Sequence, residues 1–317
     1  MKKKTVVVTG GAGFIGSHIV DALVEREYRV RVIDSLVTGN IENISRHGAA
    51  IDFVQADVCD SQAVAGVVRG ADFVIHQAAL ASVPLSLERP LDVNAACVTG
   101  TLTVLHEAQR AGVRRVVYAG SSSCYGDSPF SAKRESDTLM TLSPYAVAKL
   151  AGEKYCESFF HSFGLETVVL RYFNVFGPKQ DPDSPYSAVI PLFITRLLAG
   201  QRPVVYGDGH QSRDFTFVEN VVQGNLLAMT VPGVAGKTFN MADGRSTTLL
   251  QLLDHLQALL GVETDIDFQP ARRGDVRDSL ADITMAVKLL GFQPAVSLAD
   301  GLARSIGYYK TMIDVTV

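Results

Sequence analysis

The chain has 317 residues, 47% of them apolar and 20% charged, with a formal net charge of −4, which allows one large domain or two modest ones with a real core. The weak negative charge offers no basic footprint for nucleic acid or an anionic lipid surface, and Cys59, Cys97, Cys124 and Cys156 are too scattered for a disulfide framework or a metal site. No run approaches the roughly 18 apolar residues of a membrane span, and the glycines follow Met1-Lys-Lys-Lys4 too soon for a signal peptide, so a soluble, cytoplasmic, metal-free protein is expected.

The first element is the β-branched run Thr5-Val-Val-Val-Thr9. It stops at Gly10-Gly11-Ala12-Gly13-Phe14-Ile15-Gly16, and apolar residues at helical spacing (Ile19, Ala22, Leu23) begin immediately after. The pattern predicts a strand, a tight turn and a helix start. Glycines here permit positive φ, let the backbone approach a pyrophosphate and bring helix close to strand. The helix N-terminus then meets the phosphates with free N–H groups and its positive dipole end. The next run, Arg29-Val-Arg-Val-Ile33, ends in Asp34. A carboxylate there suits a ribose diol and repels a 2′-phosphate, so NAD is expected rather than NADP.

After a polar loop from Ser35 to Ser45, the runs Ile51-Asp-Phe-Val-Gln55 and Ala71-Asp-Phe-Val-Ile-His76 alternate with helical spacing at Ala63, Val64, Val67 and Val68. That order predicts a parallel, doubly wound sheet. The small residues of Gln77-Ala-Ala-Leu80 suit passage of the backbone beside a cofactor. One long helix is predicted from Pro90 to Ala111, ending at Gly112.

Arg115-Val-Val-Tyr-Ala-Gly120 then leads into Ser121-Ser122-Ser123-Cys124-Tyr125-Gly126. Hydroxyls at the C-terminal end of a parallel strand lie where an open α/β sheet places its ligands, although serine-rich stretches are also ordinary surface turns. In Ser143-Pro144-Tyr145-Ala-Val-Ala-Lys149, Ser143 reads as an N-cap and Pro144 as the first helical residue, which puts Tyr145 and Lys149 one turn apart on a shared face. With the nucleotide motif and the serine strand end in the same chain, the two read as a proton-transfer pair. Bringing a phenol from a pKa of about 10 to about 7 takes about 4 kcal/mol, of which an ammonium about 5–6 Å away contributes on the order of 3. A cationic oxidised nicotinamide supplies the remainder, so Tyr145 is expected to be a base near neutral pH only with the cofactor bound.

Thr9-Gly-Gly-Ala-Gly-Phe-Ile-Gly16, Asp34, Asp57-Val58, His76-Gln-Ala-Ala79, Ser121 to Gly126, Tyr145-x-x-x-Lys149 and Arg171-Tyr-Phe-Asn-Val-Phe-Gly-Pro178 occur in this order. Together they resemble the extended short-chain dehydrogenase/reductase family, and within it the UDP-hexose 4-epimerases, over essentially the whole chain. The resemblance implies a Rossmann-type NAD-binding domain over residues 1–175 and a smaller C-terminal α/β domain over 176–317 for a UDP-sugar, with parts of 215–240 returning to the first. It implies a homodimer, and a cofactor site of Gly10, Gly13, Phe14, Ile15, Gly16, Asp34, Gly39, Asp57, Val58, Gln77, Ala78 and Ala79.

By the same resemblance Ser121 would hydrogen-bond the sugar 4-oxygen, Tyr145 would take its proton and Lys149 would hold the nicotinamide ribose. Hydride leaves C4 for NAD, the 4-keto sugar turns over, and hydride returns to its other face. Ser122 and Ser123 stand where the related dehydratases carry Asp-Glu. They can hydrogen-bond a sugar but cannot serve as carboxylate acid or base, which favours epimerisation over dehydration or UDP-glucuronate decarboxylation. Arg213, Arg272 and Asn174 would take the diphosphate, Tyr206 and Val189 the uracil, and Asp275 the uridine ribose. Arg213 can equally pair with Asp214, Arg272 can belong to a solvated charge cluster, and Tyr206 can be core.

Ser279 aligns with the position that limits pocket width near the sugar 2-substituent. A small residue there leaves room for an N-acetyl group and points to UDP-GlcNAc/UDP-GalNAc, with UDP-Glc/UDP-Gal and then UDP-GlcNAcA as alternatives. Cys97, three residues before Gly100-Thr101, departs from the Asn usual in the family. The alternative from another class is a non-catalytic NAD-binding regulator, against which the joint presence of Ser121, Tyr145 and Lys149 argues.

Overall fold

The computed structural model describes residues 3–128, 131–182, 188–271 and 277–314. Its first part alternates strand and helix: β1 (Thr5–Thr9), α1 (Phe14–Glu25), β2 (Arg29–Asp34), α2 (Glu42–Ser45), β3 (Ile51–Gln55), α3 (Ser61–Val68), β4 (Phe73–His76), α4 (Val83–Glu88), α5 (Pro90–Asn94), α6 (Gly100–Arg110), β5 (Arg115–Ser121), α7 (Pro144–Phe163) and β6 (Glu166–Tyr172). Then follow β7 (Val175–Phe176), α8 (Val189–Leu198), β8 (Val204–Tyr206), β9 (Ser212–Arg213), β10 (Thr216–Phe217), α9 (Val218–Thr230), β11 (Lys237–Met241), β12 (Thr247–Thr248), α10 (Leu249–Leu260), β13 (Asp267–Gln269), β14 (Asp278–Ser279) and α11 (Leu298–Asp314).

The central sheet is seven-stranded and parallel, in the order β3-β2-β1-β4-β5-β6-β11. Strands covered on both faces need apolar residues at every position, and Val6, Val7 and Val8 are all fully buried. One face packs on α1 and α9 through Ile19, Leu23, Val221 and Met229. The other packs on α3, α6 and α7 through Val64, Leu105 and Phe159. Strand order reverses at β1, so the crevice between the C-terminal ends of β1 and β4 is the topological switch point where such sheets take their ligands. Thr9 pairs with His76 there, and Ser121 with Tyr172 further along the same rim.

The predicted Pro90–Ala111 helix is interrupted. A π-helical turn at Ala95–Thr99 joins α5 to α6. Such a turn rotates the face that follows it, and Gly100 comes to lie against Val58, where a Cβ would meet Val58 Cγ2 at 2.7 Å. The close approach depends on a tertiary partner, so helical periodicity alone does not signal it.

The later elements divide between two places. α9 and β11 return to the central sheet, where β11 pairs with β6. α8, α10 and α11 enclose a separate core of Phe193, Leu252 and Ile306, flanked by the short ladders β12-β9-β14 and β13-β8. Among the described residues no helix is long and apolar enough to cross a membrane.

Candidate active site

The turn after β1 is shaped by what a side chain would hit. Gly10 takes φ +67°, and a Cβ on it would lie 2.7 Å from the Ala78 backbone nitrogen. A Cβ on Gly16 would run into the Gly10 carbonyl oxygen. α1 opens on Gly13, which has no side chain to cap the first N–H groups, so those donors are left for an anion. Asp34, buried at the end of β2, accepts from the Ala12 and Leu36 N–H groups at 2.9 Å each. Each oxygen of that carboxylate retains acceptor capacity beside Gly39, where a Cβ would sit 2.7 Å from Asp34 Oδ1. A glycine cradle for a pyrophosphate next to a fixed carboxylate fits the two ends of a dinucleotide's adenosine half.

Other predicted cofactor residues take up different positions. Phe14 and Ile15 sit on the first turn of α1 with side chains packed toward the α8–α10–α11 core, leaving their backbones to the cradle. Val58 is core. Asp57 is exposed and its Oδ1 accepts from the Cys59 N–H at 2.8 Å. Gln77 gives its carboxamide to the Tyr172 hydroxyl (2.9 Å) and to Asn225 (3.3 Å), so its side chain fastens the ends of β4 and β6 to α9. Ala78 and Ala79 follow it as half-buried backbone at the switch point.

A directed thread of hydrogen bonds braces this rim. Thr101 donates to the Cys97 carbonyl at 2.6 Å, so it accepts from His76 Nε2 at 2.9 Å. Nδ1 of the same ring then accepts from Thr9 Oγ1 at 2.6 Å, and Thr9 Oγ1 accepts from the Ala78 N–H at 3.2 Å. Burial lowers the His76 pKa to about 3, which keeps the ring neutral, as the thread requires. His76 was visible in the sequence only as part of a motif; the two threonines that give it a role lie on other elements.

Ser121 ends β5 and caps the turn Ser122–Tyr125 by accepting from the Ser123 N–H at 3.2 Å, with the Ser121 and Ser123 hydroxyls 2.8 Å apart. Ser122 is half-buried on the same turn. Ser143 caps α7 by accepting from the Ala146 N–H, and Pro144 starts the helix. Tyr145 is thereby presented to the serine turn, and the Ser121 hydroxyl acts on its phenol. Burial raises the Tyr145 pKa, Cys97 adds to the rise, and Ser121 opposes it. Lys149, one turn on, is buried with Nζ 3.0 Å from the Ala119 carbonyl and 5.2 Å from the centre of the Tyr118 ring. Burial lowers its pKa. The phenol is therefore held protonated by the protein alone, and a base at neutral pH needs a further positive charge beside it.

In the second lobe β9 carries Arg213 and β14 carries Ser279, paired in parallel register. Arg213 Nη1 donates to the carbonyls of Ser212 (2.8 Å) and Arg277 (3.0 Å). The Asp214 carboxylate turns elsewhere and accepts from the N–H groups of Asp243, Gly244 and Ala281 at 3.0–3.1 Å. Asn174, at φ +32°, bonds to the Asp214 carbonyl at 3.3 Å. Tyr206 is half-buried at the end of β8, opposite Gln269, and Val189 is the half-buried first residue of α8. Arg272 and Asp275 lie outside the described residues. Sequence reasoning missed the Asp214 carboxylate as the joint of this lobe, because its donors come from segments remote along the chain.

A glycine turn at the switch point of a parallel sheet, with a Tyr–Lys helix and a hydroxyl-lined strand end along the same rim, is the architecture of a dinucleotide-binding α/β fold. Residues 6–242 match the NAD dependent epimerase/dehydratase family, and the chain belongs to that family. NAD is its cofactor. The UDP-glucose 4-epimerase of Mycolicibacterium smegmatis is 35% identical over 311 residues, 96% of this chain and 98% of that one. The UDP-glucose 4-epimerase of Thermotoga maritima, solved with UDP-glucose, superposes with a TM-score of 0.93 at 36% identity, covering 98% and 99% of the two chains. The UDP-N-acetylglucosamine 4-epimerase of Methanobrevibacter ruminantium M1, solved with UDP-N-acetylmuramic acid, does so with a TM-score of 0.94 at 38% identity, covering 98% and 100%.

Proposed function

We propose that the protein interconverts UDP-GlcNAc and UDP-GalNAc by NAD-dependent 4-epimerisation. The choice of sugar is carried by Ser279, whose register with Arg213 sets a small side chain next to a cation suited to a diphosphate. The name of the Methanobrevibacter relative agrees with it. In this reading Ser121 and Tyr145 hold the sugar 4-hydroxyl, and Tyr145 removes its proton and later returns it. Lys149 holds the nicotinamide ribose and keeps positive charge near the phenol. Bound NAD supplies a reversible hydride acceptor. Ser122 and Ser123 hydrogen-bond the sugar, and with no carboxylate at either position the 4-keto sugar is not dehydrated at C5 and C6.

Arg213 and Arg272, with Asn174, hold the diphosphate; Tyr206 and Val189 flank the uracil, and Asp275 accepts from the uridine ribose. The substrate lobe is residues 176–317 without α9 and β11, and two copies form a homodimer. The purified holoenzyme, given UDP-GlcNAc and no reductant, is expected to yield UDP-GalNAc by NMR. Absence of turnover in a sample whose bound NAD is intact overturns the proposal. A second reading, interconversion of UDP-Glc and UDP-Gal, is favoured by the names of the Mycolicibacterium and Thermotoga relatives, and the same assay with UDP-Glc decides it.

A further inference from the structure

Behind the Tyr–Lys pair lies an ion pair that the reaction scheme above does not use. Glu153 sits one turn beyond Lys149 on α7, and Arg171 sits on β6; both are about 5% exposed. The guanidinium grips the carboxylate as a fork, Nε to Oε1 at 3.0 Å and Nη2 to Oε2 at 2.8 Å. Gly120 of β5, Arg171 of β6 and Asn240 of β11 are register partners in one line across the sheet. Gly120 makes room for the carboxylate, since a Cβ there would lie 3.1 Å from Glu153 Oε1. The remaining arm of Arg171 donates to the Tyr125 hydroxyl at 2.8 Å, and that hydroxyl donates to Asn240 at 2.7 Å. Tyr125 closes the serine turn that begins at Ser121. One guanidinium thus ties the helix carrying Tyr145 and Lys149 to the turn carrying Ser121.

We propose that Arg171 and Glu153 are positioning residues of the reaction: the buried pair fixes α7 against the serine turn, and each charge cancels the other so that neither shifts the pH at which the Tyr145 proton moves. This rests on Tyr145 being the proton-transfer group. The titratable groups on the buried side are Lys149, Tyr118, Cys124 and Cys156, on all four of which Glu153 acts electrostatically, with Tyr125, on which Arg171 acts, and Cys97, which acts on Tyr145. On the side away from Tyr145, the pair borders a surface pocket with Glu135, whose Oε1 accepts from the Asn240 N–H at 2.8 Å, and the exposed Lys154, Glu157 and Lys237, which water screens. Burial works against the Arg171 charge, and the bonds and charge of Glu153 overcome it, holding the guanidinium above its ordinary pKa.

Tyr145 and Glu153 are two helical turns apart, about 12 Å of rise. At that separation and an effective dielectric near 20, an uncompensated charge moves a pKa by about one pH unit. The test compares holoenzymes carrying Glu153→Gln, Arg171→Met and both changes, through pH profiles of kcat. Glu153→Gln leaves a bare cation, and its acid limb is expected about one pH unit below wild type. Arg171→Met leaves a bare carboxylate, and its limb is expected about one unit above. The double variant is expected to return to the wild-type limb with kcat still about tenfold down, KM within about twofold and NAD content unchanged. Limbs that stay fixed, or move the same way, overturn the proposal. Should Arg171→Met fail to fold, the isosteric Glu153→Gln decides alone. If wild type turns over no UDP-hexose, the function reading fails; the Tyr145 phenol titrated by absorbance in the same NAD-loaded proteins, with Tyr145→Phe as blank, then decides this one by the same opposite shifts.

Discussion

Ser279 stands directly across from Arg213 on neighbouring parallel strands, so the two side chains project from the same side of their ladder. Any bulk added at Ser279 enters the space next to the guanidinium. Ser279→Tyr is expected to lower kcat/KM for UDP-GlcNAc by about 10- to 100-fold relative to UDP-Glc, the discrimination typical of steric exclusion in a pocket. Coupled assays on both sugars check it, and equal losses would remove Ser279 from substrate selection.

Tyr145→Phe deletes the phenol and leaves the Asp34 and glycine contacts of the cradle untouched. Loss of a general acid–base group costs about 10²- to 10⁴-fold, and kcat is expected to fall within that range with bound NAD retained. Because burial raises the phenol's pKa in the protein alone, the kinetic pKa of wild-type holoenzyme is expected below the value for the phenol titrated in NAD-free protein. A pH profile set against an absorbance titration of the apoprotein, with Tyr145→Phe as blank, measures the difference. Equal values would mean that the nicotinamide charge does not tune Tyr145.

The parallel sheet and the Tyr145–Lys149 face were legible in the chain for a physical reason: each is set by near neighbours. Strands buried on both faces must be apolar throughout, and residues four apart on a helix must share a side. What joins Gly120, Arg171 and Asn240 is the register of three strands, and no local pattern encodes that. The sequence places Gln77 at the end of β4, but the partners of its carboxamide, Tyr172 and Asn225, lie almost a hundred or more residues away and no local pattern encodes them. The ladders that carry Arg213 and Ser279 have two residues per strand, too few to show a period.

Gly16 and Gly48 offer a matched pair of substitutions. A Cβ on Gly16 would strike the Gly10 carbonyl, so Gly16→Ala must deform the turn that receives the pyrophosphate. It is expected to lose NAD on purification and to unfold at lower temperature, by about 1–3 kcal/mol for the overpacking. Gly48 takes φ +47° with nothing within 4 Å of a built Cβ, so Gly48→Ala is expected to cost only about 1–2 kcal/mol of backbone strain and to keep its NAD. Cofactor content by absorbance together with the melting temperature separates the two. Retention of NAD by Gly16→Ala would show that the turn does not need its glycine there.

Two buried groups are expected to tilt stability with pH in opposite directions. His76 has its pKa lowered from 6.5 to about 3 by burial. Between those values the unfolded chain binds the extra proton, so this contribution is complete above the unfolded value and is lost as pH falls. Asp214 has its pKa raised from 3.8 to about 7, burial outweighing the pull of its N–H donors. Between those values the folded protein binds the extra proton, so this contribution is complete below the unfolded value and is lost as pH rises. Each slope is about 1.4 kcal/mol per pH unit, and they oppose each other between about pH 4 and 6.5. Asp214→Asn should therefore gain stability on going from about pH 4.5 to 6, relative to wild type, by about 2 kcal/mol. His76→Gln should lose a similar amount over the same interval. Urea unfolding at the two pH values measures both. A variant whose stability runs parallel to wild type shows that its residue keeps the same protonation state folded and unfolded, and for His76 that would mean the Thr9–His76–Thr101 thread does not hold the ring neutral.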